Sequence, residues 1–357
     1  MIARPVGYDV PRGTDFALLR LALATSVIFA HFSAIFRAPT GVGLSAVVPV
    51  QAFFVVSGWV VGASFAGSAS ISAFWVRRAA RLYPLYAALV VCQAMACALI
   101  TVPPNARREL VQYLAYNLAF ANFLKPTLFG FFADAPVKAI NPSLWTLKVE
   151  VAYYITVPLI IWSMRRFGRS VIVLLFLAST AFAYHFPATT SEAGRQFPGQ
   201  LRFFLVGIGC WGAQAHIPRL EARYRPLLLA ALGAIGFIAA HRLEKVVALT
   251  ALQPFWVGLF VLGAANVLPR LGRIPDISYG VYLLHAPIAQ FGRYLGLIDS
   301  TRWGLVQLLV LTFAAALAGC LLIELPAIAL GRRVSASLSA ARGTKFFRSA
   351  AAHTHRS

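Results

Sequence analysis

The chain has 357 residues, of which 59% are hydrophobic and 12% are charged, and its formal net charge at pH 7 is +21. The charged fraction is about half the ~25% that is typical of soluble domains, which excludes an ordinary soluble protein. The basic residues are dispersed over short loops between apolar runs, which argues against nucleic-acid binding.

Repeated apolar runs of about 20 residues predict an all-α, polytopic membrane protein with about ten transmembrane helices. The predicted spans are 16–36, 46–66, 83–102, 146–164, 170–187, 199–215, 226–240, 246–266, 277–295 and 304–329. Residues 110–132 are apolar but interrupted by polar residues and a proline, and we interpret them as re-entrant or interfacial. With this topology the inner loops carry about twice as many Lys and Arg residues as the outer ones, so both termini are predicted to be cytoplasmic.

Residues 1–331 are predicted to form one membrane domain, followed by a basic, disordered cytoplasmic tail over residues 332–357. The four cysteines lie in apolar stretches, and no Cys or His spacing is typical of a metal site. We therefore expect neither a disulfide framework nor a bound metal.

The first span contains two ionisable residues, Arg20 and His31. Eleven helical steps correspond to about 16 Å of rise and return the azimuth to within about 20°, so both side chains share one face. An ionisable residue inside a span is a functional hypothesis by default, although a polar pair for helix packing is the alternative. Because an imidazole titrates near neutral pH, His31 is a candidate for proton transfer.

The segment FWVRRAARLYPLY, residues 74–86, places Arg77, Arg78 and Arg81 at the predicted cytoplasmic mouth of the third span. Arginine favours bidentate contacts with phosphate, so this cluster predicts a docking site for a phosphate-bearing cytosolic cofactor. The alternative is that the arginines only set the topology. Pro84 is predicted to open the span that follows.

The segment NPSLWTLKVEVAYYITVPL, residues 141–159, carries Glu150 just inside the fourth span. A carboxylate at that depth needs a partner. Both Glu150 and His31 are predicted to lie in the outer half of the membrane, so Glu150 is either a partner for His31 or part of a structural ion pair.

In the segment ISYGVYLLHAPI, residues 277–288, Ser278, Tyr282 and His285 recur at offsets of four and three. Helical spacing therefore lets them line one face. Taken alone, His285 is explained equally well as a core histidine or as a ligand contact.

The ordered set of these motifs resembles the acyltransferase 3 family of integral membrane acyltransferases over residues 16–326. The matching pieces are Arg20 with His31, FFVVSGWVVG (residues 53–62), Arg78 and Arg81 before Tyr83 and Pro84, Ser143, Trp145, Glu150 and Tyr154, then Ser278, Tyr279, Tyr282, Leu283, His285 and Pro287, and finally Glu324 with Pro326. Trp59, Thr146 and Gly280 depart from the commonest family residues, and none of these changes removes a titratable group.

The resemblance implies an O-acyltransferase of the bacterial cytoplasmic (inner) membrane, with cytoplasmic acyl-CoA, most often acetyl-CoA, as the donor. It implies a carbohydrate acceptor on an extracytoplasmic or lipid-linked glycan, such as exopolysaccharide, O-antigen or a lipo-oligosaccharide. At the donor end, Arg78 and Arg81 with Arg77 are expected to bind the CoA phosphates, and Arg20 to contact the CoA arm. His31 is expected to act as the base or to carry the acyl group transiently, with its imidazole oriented by Glu150. Tyr282 and His285 are expected to line the thioester channel.

A proton-coupled transporter or flippase is the main alternative, because intramembrane histidine and glutamate also serve proton relays. Against it, no internal repeat of spans is apparent, and the arginine cluster suits a phosphate ligand better than a relay. A purely structural membrane scaffold would leave His31 without a role. Slow release of CoA from acetyl-CoA by the purified protein would distinguish the enzyme from a transporter.

Overall fold

The computed structural model describes residues 16–38, 46–68, 70–188, 191–214, 227, 231, 252–268 and 274–338. Within these ranges the regular structure is helical and no strand occurs. The helices are α1 (Ala17–Phe36), α2 (Val47–Ala66), α3 (Ile71–Ile100), α4 (Ala106–Leu118), α5 (Trp145–Phe167), α6 (Ser170–His185), α7 (Phe197–Gln214), α8 (Gln253–Val267), α9 (Ser278–Tyr294) and α10 (Arg302–Gly319).

Five helical segments are long and apolar enough to cross a membrane: Ala17–Phe36, Val47–Ala66, Ile71–Ile100, Pro142–Phe167 and Arg302–Leu338. Two shorter apolar helices are Ser170–His185 and Gln253–Ala265. The membrane class predicted from the composition therefore agrees with the fold, while the number of spans and the side on which the termini lie stay predictions. The predicted span 226–240, apart from two isolated positions, and the first part of 246–266 lie outside the described residues.

Helix α3 corrects one sequence prediction, because it begins at Ile71 rather than near residue 83. The arginine segment is therefore part of the helix, and Pro84 lies inside it instead of opening it. The Ser70 side chain caps the start of α3 by accepting a hydrogen bond from the Ala73 amide at 3.1 Å. A proline inside a membrane helix removes one backbone hydrogen bond, which is tolerated where neighbouring groups compensate.

The last described helical segment extends into the predicted tail. Helix α10 passes through one π-helical turn, Cys320–Glu324, and the helix then continues to Leu338. The first residues of the predicted tail, 332–338, are therefore helical, and residues 339–357 lie outside the described part. The π turn inserts one wider helical turn and changes the direction of the side chains that follow, but it does not end the helix.

Close packing of α2 on α7 explains the first glycine of the FFVVSGWVVG motif, Gly58. A Cβ atom added at Gly58 would lie 2.1 Å from the Phe204 carbonyl oxygen, and one added at Gly207 would lie 2.1 Å from the Val55 carbonyl oxygen. Only glycine lets the two backbones approach this closely. On the other side of the molecule, α1 packs against α9 and α9 packs against α10.

Residues 119–141, between α4 and α5, form turns that are fastened to α9. The side-chain amide of Gln290 donates to the Val137 and Ala139 carbonyl oxygens at 2.7 and 2.8 Å. The Asn141 amide donates to the Leu283 carbonyl oxygen at 3.0 Å. These contacts fix the position of the long α4–α5 connection over α9.

Candidate active site

A cavity lies between α1, α2, α3, α5 and α9, and we call it the arginine cavity. Four of the six predicted cofactor-binding residues, Arg20, Arg78, Arg81 and Tyr282, line its wall, together with the predicted catalytic Glu150. Further polar wall residues are Ser57, Thr146, Tyr154, Ser278 and Tyr279.

Two of the cavity arginines are held by carboxylates. Asp276 Oδ2 lies 2.8 Å from Arg20 Nη1 and 3.3 Å from Arg81 Nη2, so one carboxylate joins α1 to α3 at the start of α9. Arg81 also pairs with Glu324, which sits in the π turn and is 1% exposed. A buried carboxylate needs such a partner, and the π turn carries the Glu324 carboxylate that pairs with Arg81.

Asp276 lies in the loop before α9 and has a perturbed acidity. Burial alone would raise the pKa of its carboxyl group, but the nearby guanidinium groups of Arg20 and Arg81 outweigh burial and hold the pKa below its ordinary value. The Ser278 amide and hydroxyl also donate to Asp276 Oδ1, at 3.1 and 2.5 Å. Asp276 is therefore an ionised clamp at neutral pH.

Arg78 differs from the other two cavity arginines. In the part of the chain that the structure describes it forms no ion pair, and its buried Nε atom has no hydrogen-bond partner. Its guanidinium carbon lies 6.0 Å from the centre of the Tyr154 ring. A half-buried guanidinium with an unused donor is suited to an anionic ligand.

Arg77 points to a different place. Its guanidinium donates to the Ser335 hydroxyl at 2.7 Å and to the Ser68 hydroxyl, and it is not part of the cavity wall. It connects the start of α3 to the C-terminal helix. The structure therefore gives no support to the predicted contact of Arg77 with CoA phosphates.

Glu150 lines the arginine cavity and accepts a hydrogen bond from the Tyr154 hydroxyl one helical turn away. Among the described residues no hydrogen bond joins Glu150 to His31, so the predicted partnership of these two residues is not found. The physical reason is the helix packing: α1 turns His31 toward α9, whereas Glu150 on α5 faces the cavity.

The partner of His31 is His285. His31 Nδ1 lies 2.7 Å from His285 Nε2, and His285 Nδ1 lies 3.1 Å from the Val281 carbonyl oxygen. A carbonyl oxygen only accepts, so the hydrogen of a neutral His285 belongs on Nδ1 and its Nε2 is an acceptor. His31 Nδ1 is then the donor, which leaves the lone pair of a neutral His31 on Nε2.

This hydrogen-bond network assigns the His31 tautomer that a general base requires. His285 is fully buried and takes no part in the cavity wall, so its predicted place in a thioester channel is replaced by a place behind His31. Ser143 Oγ lies 3.4 Å from His285 Nε2 and adds a second polar neighbour. The pair can accept one proton at His31 Nε2 and spread the resulting charge over two rings.

Tyr282 connects the arginine cavity with the histidine pair. Its hydroxyl lies 2.9 Å from Thr146 Oγ1, which itself donates to the Ser143 carbonyl oxygen at 3.1 Å. The Tyr282 ring lies in the cavity wall one helical turn before His285. Tyr282 therefore lies between the cavity and His285, whereas neither histidine lines the cavity, and its place in a thioester channel stays a prediction.

Two residues of the site, Asp276 and Ser143, are not predicted as functional residues from the sequence. Asp276 is signalled only by its position, a carboxylate two residues before a span in a strongly basic chain. Ser143 was noticed as part of a motif, but nothing local shows that it reaches His285. Across the described ranges no group of three or more His, Cys, Asp or Glu residues could hold a metal ion.

The family model described as an acyltransferase domain matches residues 14–325, so the chain belongs to this acyltransferase family and is a membrane-associated transferase. Nodulation protein 10 of Rhizobium leguminosarum bv. viciae is 28% identical over 358 residues, which cover 88% of this chain and 93% of that protein. Acyltransferase MdmB of Streptomyces mycarofaciens is 25% identical over 288 residues, which cover 70% of this chain and 69% of that protein. No solved structure is significantly similar to the chain.

Proposed function

We propose that the protein transfers an acyl group, most simply acetyl, from cytoplasmic acyl-CoA to a hydroxyl group of an extracytoplasmic or lipid-linked glycan in the bacterial inner membrane. The single observation that carries this proposal is the short path along α9 from the arginine cavity to the His31–His285 pair. The glycan acceptor follows from the resemblance to the acyltransferase 3 family, and the acyl donor follows from the chemistry of the cavity.

The arginine cavity supports a phosphate-bearing donor. Arg78 supplies an unpaired guanidinium, while Asp276 and Glu324 hold the guanidiniums of Arg20 and Arg81 in place. The cavity wall combines these guanidiniums with the rings of Tyr154, Tyr279 and Tyr282, and we expect it to hold the phosphate end and part of the pantetheine arm of the donor. About 16 Å of helix separates Arg20 from His31, a distance that such an arm spans in large part.

The histidine pair supports proton transfer from the acceptor. His31 Nε2 takes the proton as the acceptor oxygen bonds to the thioester carbon, and the carbon–sulfur bond then breaks to release CoA thiolate. The imidazolium formed on His31 donates through Nδ1 to His285 Nε2, which stabilises the positive charge. The same proton afterwards leaves His31 and neutralises the thiolate, so both the histidines and the net charge are restored.

Transient transfer of the acyl group to His31 Nε2 uses the same lone pair and stays open as a variant of this mechanism. In either case Glu150 acts at the donor end, where it accepts from Tyr154 and so fixes the ring that lies over Arg78. Tyr282 lies between the two ends, and we expect it to contact the thioester.

The test uses purified full-length protein in liposomes with radiolabelled acetyl-CoA and the surface glycan of cells that lack the gene. We expect labelled glycan and an equal amount of free CoA, with the mass of one acetyl group added to each modified sugar. Release of neither labelled glycan nor CoA would overturn the proposal. Acylation of the glycan from another acyl donor, but not from acetyl-CoA, would overturn the assignment of the donor.

A further inference from the structure

We propose that an open bowl at the far end of α9 from the arginine cavity binds a sugar unit of the acceptor. The bowl is lined by the turn of residues 129–135 together with Thr101, Gln290, Arg293 and Tyr294. The identification of the sugar as the acceptor rests on the proposed function, whereas its binding in the bowl is tested separately.

The position of the bowl is the first argument. Ser278, the first residue of α9, lines the arginine cavity, and Tyr294, its last residue, lines the bowl. His285 lies between them, about 8 Å along the helix axis from Gln290 and about 14 Å from Tyr294. An acceptor seated in the bowl would therefore reach toward the histidine pair from the side opposite to the donor.

Helix α3 gives the same order independently. Arg78 and Arg81, near its beginning, line the arginine cavity, and Thr101, directly after its end, lines the bowl. Two helices thus assign the two cavities to opposite ends of the molecule. If α3 crosses the membrane, the cavities open toward opposite sides of it.

The chemistry of the bowl suits a sugar. The Tyr294 side chain is 52% exposed, and its ring lies 5.3 Å from the ring of Phe131 and 5.9 Å from that of Phe132, both of which are buried and support it. A pyranose presents an apolar C–H face, which packs on an aromatic ring, and a rim of hydroxyl groups. The exposed carboxylate of Asp134 accepts from such hydroxyls, and the exposed guanidinium of Arg293 donates to them.

Gln290 supplies an unused hydrogen-bond acceptor in the wall of the bowl. Its amide nitrogen is committed to the Val137 and Ala139 carbonyl oxygens, while its Oε1 atom is buried without a partner. A buried acceptor left unpaired is costly and calls for an explanation. A hydroxyl group of a bound sugar is a donor that would satisfy it.

The turn that forms the bowl is held in an unfavourable conformation. Phe129 and Phe132 have positive φ angles of 54° and 64°, although neither is glycine. Glu109 accepts a hydrogen bond from the Phe129 amide at 3.1 Å, and Gln290 holds the chain that follows. Strained backbone that is fixed from several sides occurs at ligand clamps. Positive φ angles are also found at Arg37, Asn105 and Phe120 outside the bowl, so the strain adds to the other arguments and does not replace them.

The test measures acceptor kinetics with the surface glycan from cells that lack the gene, in liposomes containing the full-length protein. We expect Tyr294→Ala to raise the KM for glycan about five- to tenfold and Tyr294→Phe to change it little, since the stacking ring is kept. We expect Asp134→Asn, an exposed and conservative change, to raise the same KM severalfold. Tyr184→Ala is the matched control, because Tyr184 is 59% exposed on α6.

An unchanged KM for glycan in both Tyr294→Ala and Asp134→Asn would overturn the bowl as the sugar site. The KM for acetyl-CoA and the slow release of CoA without glycan stay at the wild-type values if the proposal is right. A rise in the KM for acetyl-CoA in these variants would also contradict it. If wild-type protein acylates no glycan, the proposed function fails first, and binding of radiolabelled glycan to the wild-type and Tyr294→Ala proteins then decides the bowl alone.

Discussion

The two ends of one path along α9 are built on opposite electrostatic principles. In the arginine cavity the guanidiniums of Arg20 and Arg81 are matched with the carboxylates of Asp276 and Glu324. In the histidine pair, two uncharged rings bind each other, and no carboxylate hydrogen-bonds to either ring among the described residues. The paired charges hold the cavity wall in place and leave the unpaired guanidinium of Arg78 for an anionic donor. Neutral imidazoles let a proton move without leaving a permanent ion in an apolar region.

Removal of the base is expected to have the largest effect on activity. We expect His31→Ala to lower kcat roughly 10²- to 10⁴-fold, the contribution typical of one positioned general base, and to leave the KM for acyl-CoA near the wild-type value. Initial rates of labelled glycan formation measure both constants. A His31→Ala protein that forms product at the wild-type rate would show that the histidine pair serves only to pack α1 on α9.

Removal of the second ring separates support of His31 from simple packing. His285→Phe keeps the ring volume but loses the acceptor for His31 Nδ1, and a hydrogen bond to a charged group is worth about 1.5–3 kcal/mol, so we expect kcat to fall about ten- to hundredfold. His285→Gln keeps an acceptor in roughly the same position and is expected to retain more activity. Equal losses in the two variants, or a changed pH profile in neither, would contradict the assigned hydrogen bond.

Changes at the arginine cavity are expected to act on binding instead of on the chemical step. Arg78→Ala removes the unpaired guanidinium, so the KM for acetyl-CoA is expected to rise about tenfold while kcat changes little. Arg77→Ala is the matched control, because Arg77 is adjacent in sequence but contacts Ser68 and Ser335 outside the cavity. If both variants raise the KM equally, the distinction between the two arginines is wrong.

The smallest expected effect concerns the acidity of Asp276. Its pKa lies below the ordinary value in the folded protein, because the guanidiniums of Arg20 and Arg81 outweigh the effect of burial, so its ion pairs stabilise the fold at neutral pH and are lost as the pH falls through that lowered value. We expect Asp276→Asn to lower the melting temperature by roughly 2–4 °C at pH 7, and the difference from wild type to shrink below about pH 4. Thermal unfolding in detergent at several pH values measures this, and a difference that is constant with pH would refute the ion pairing.

The sequence predicts what depends on local repetition. The spacing of Arg20 and His31 places both on one face because α1 is a single uninterrupted helix. Arg78 and Arg81, three residues apart, likewise reach the same cavity. The position of Pro84 predicts a start of α3 near residue 83, because proline is common in the first turn of a helix. In the structure the Ser70 cap sets the start of α3 at Ile71.

The sequence does not predict which distant side chains meet. His31 and His285 are 254 positions apart, and only the packing of α1 on α9 brings them together. The different roles of Arg77 and Arg78 have the same origin, because adjacent residues on a helix point about 100° apart and the pattern alone does not say which direction faces the cavity. The predicted partnership of Glu150 with His31 rests on their similar depth in the membrane. Depth does not show in which direction around its helix a side chain points.

The most direct test asks on which side of the membrane the arginine cavity and the bowl each open. In a variant whose native cysteines are replaced by alanine, a single cysteine is introduced by Asp134→Cys at the bowl or by Ser337→Cys near the Arg77 contact with Ser335, and sealed vesicles of known orientation are treated with a membrane-impermeant maleimide. We expect labelling of the first position from the outside only and of the second from the cytoplasmic side only. Labelling of both positions from the same side would contradict a donor and an acceptor that meet at the histidine pair from opposite directions.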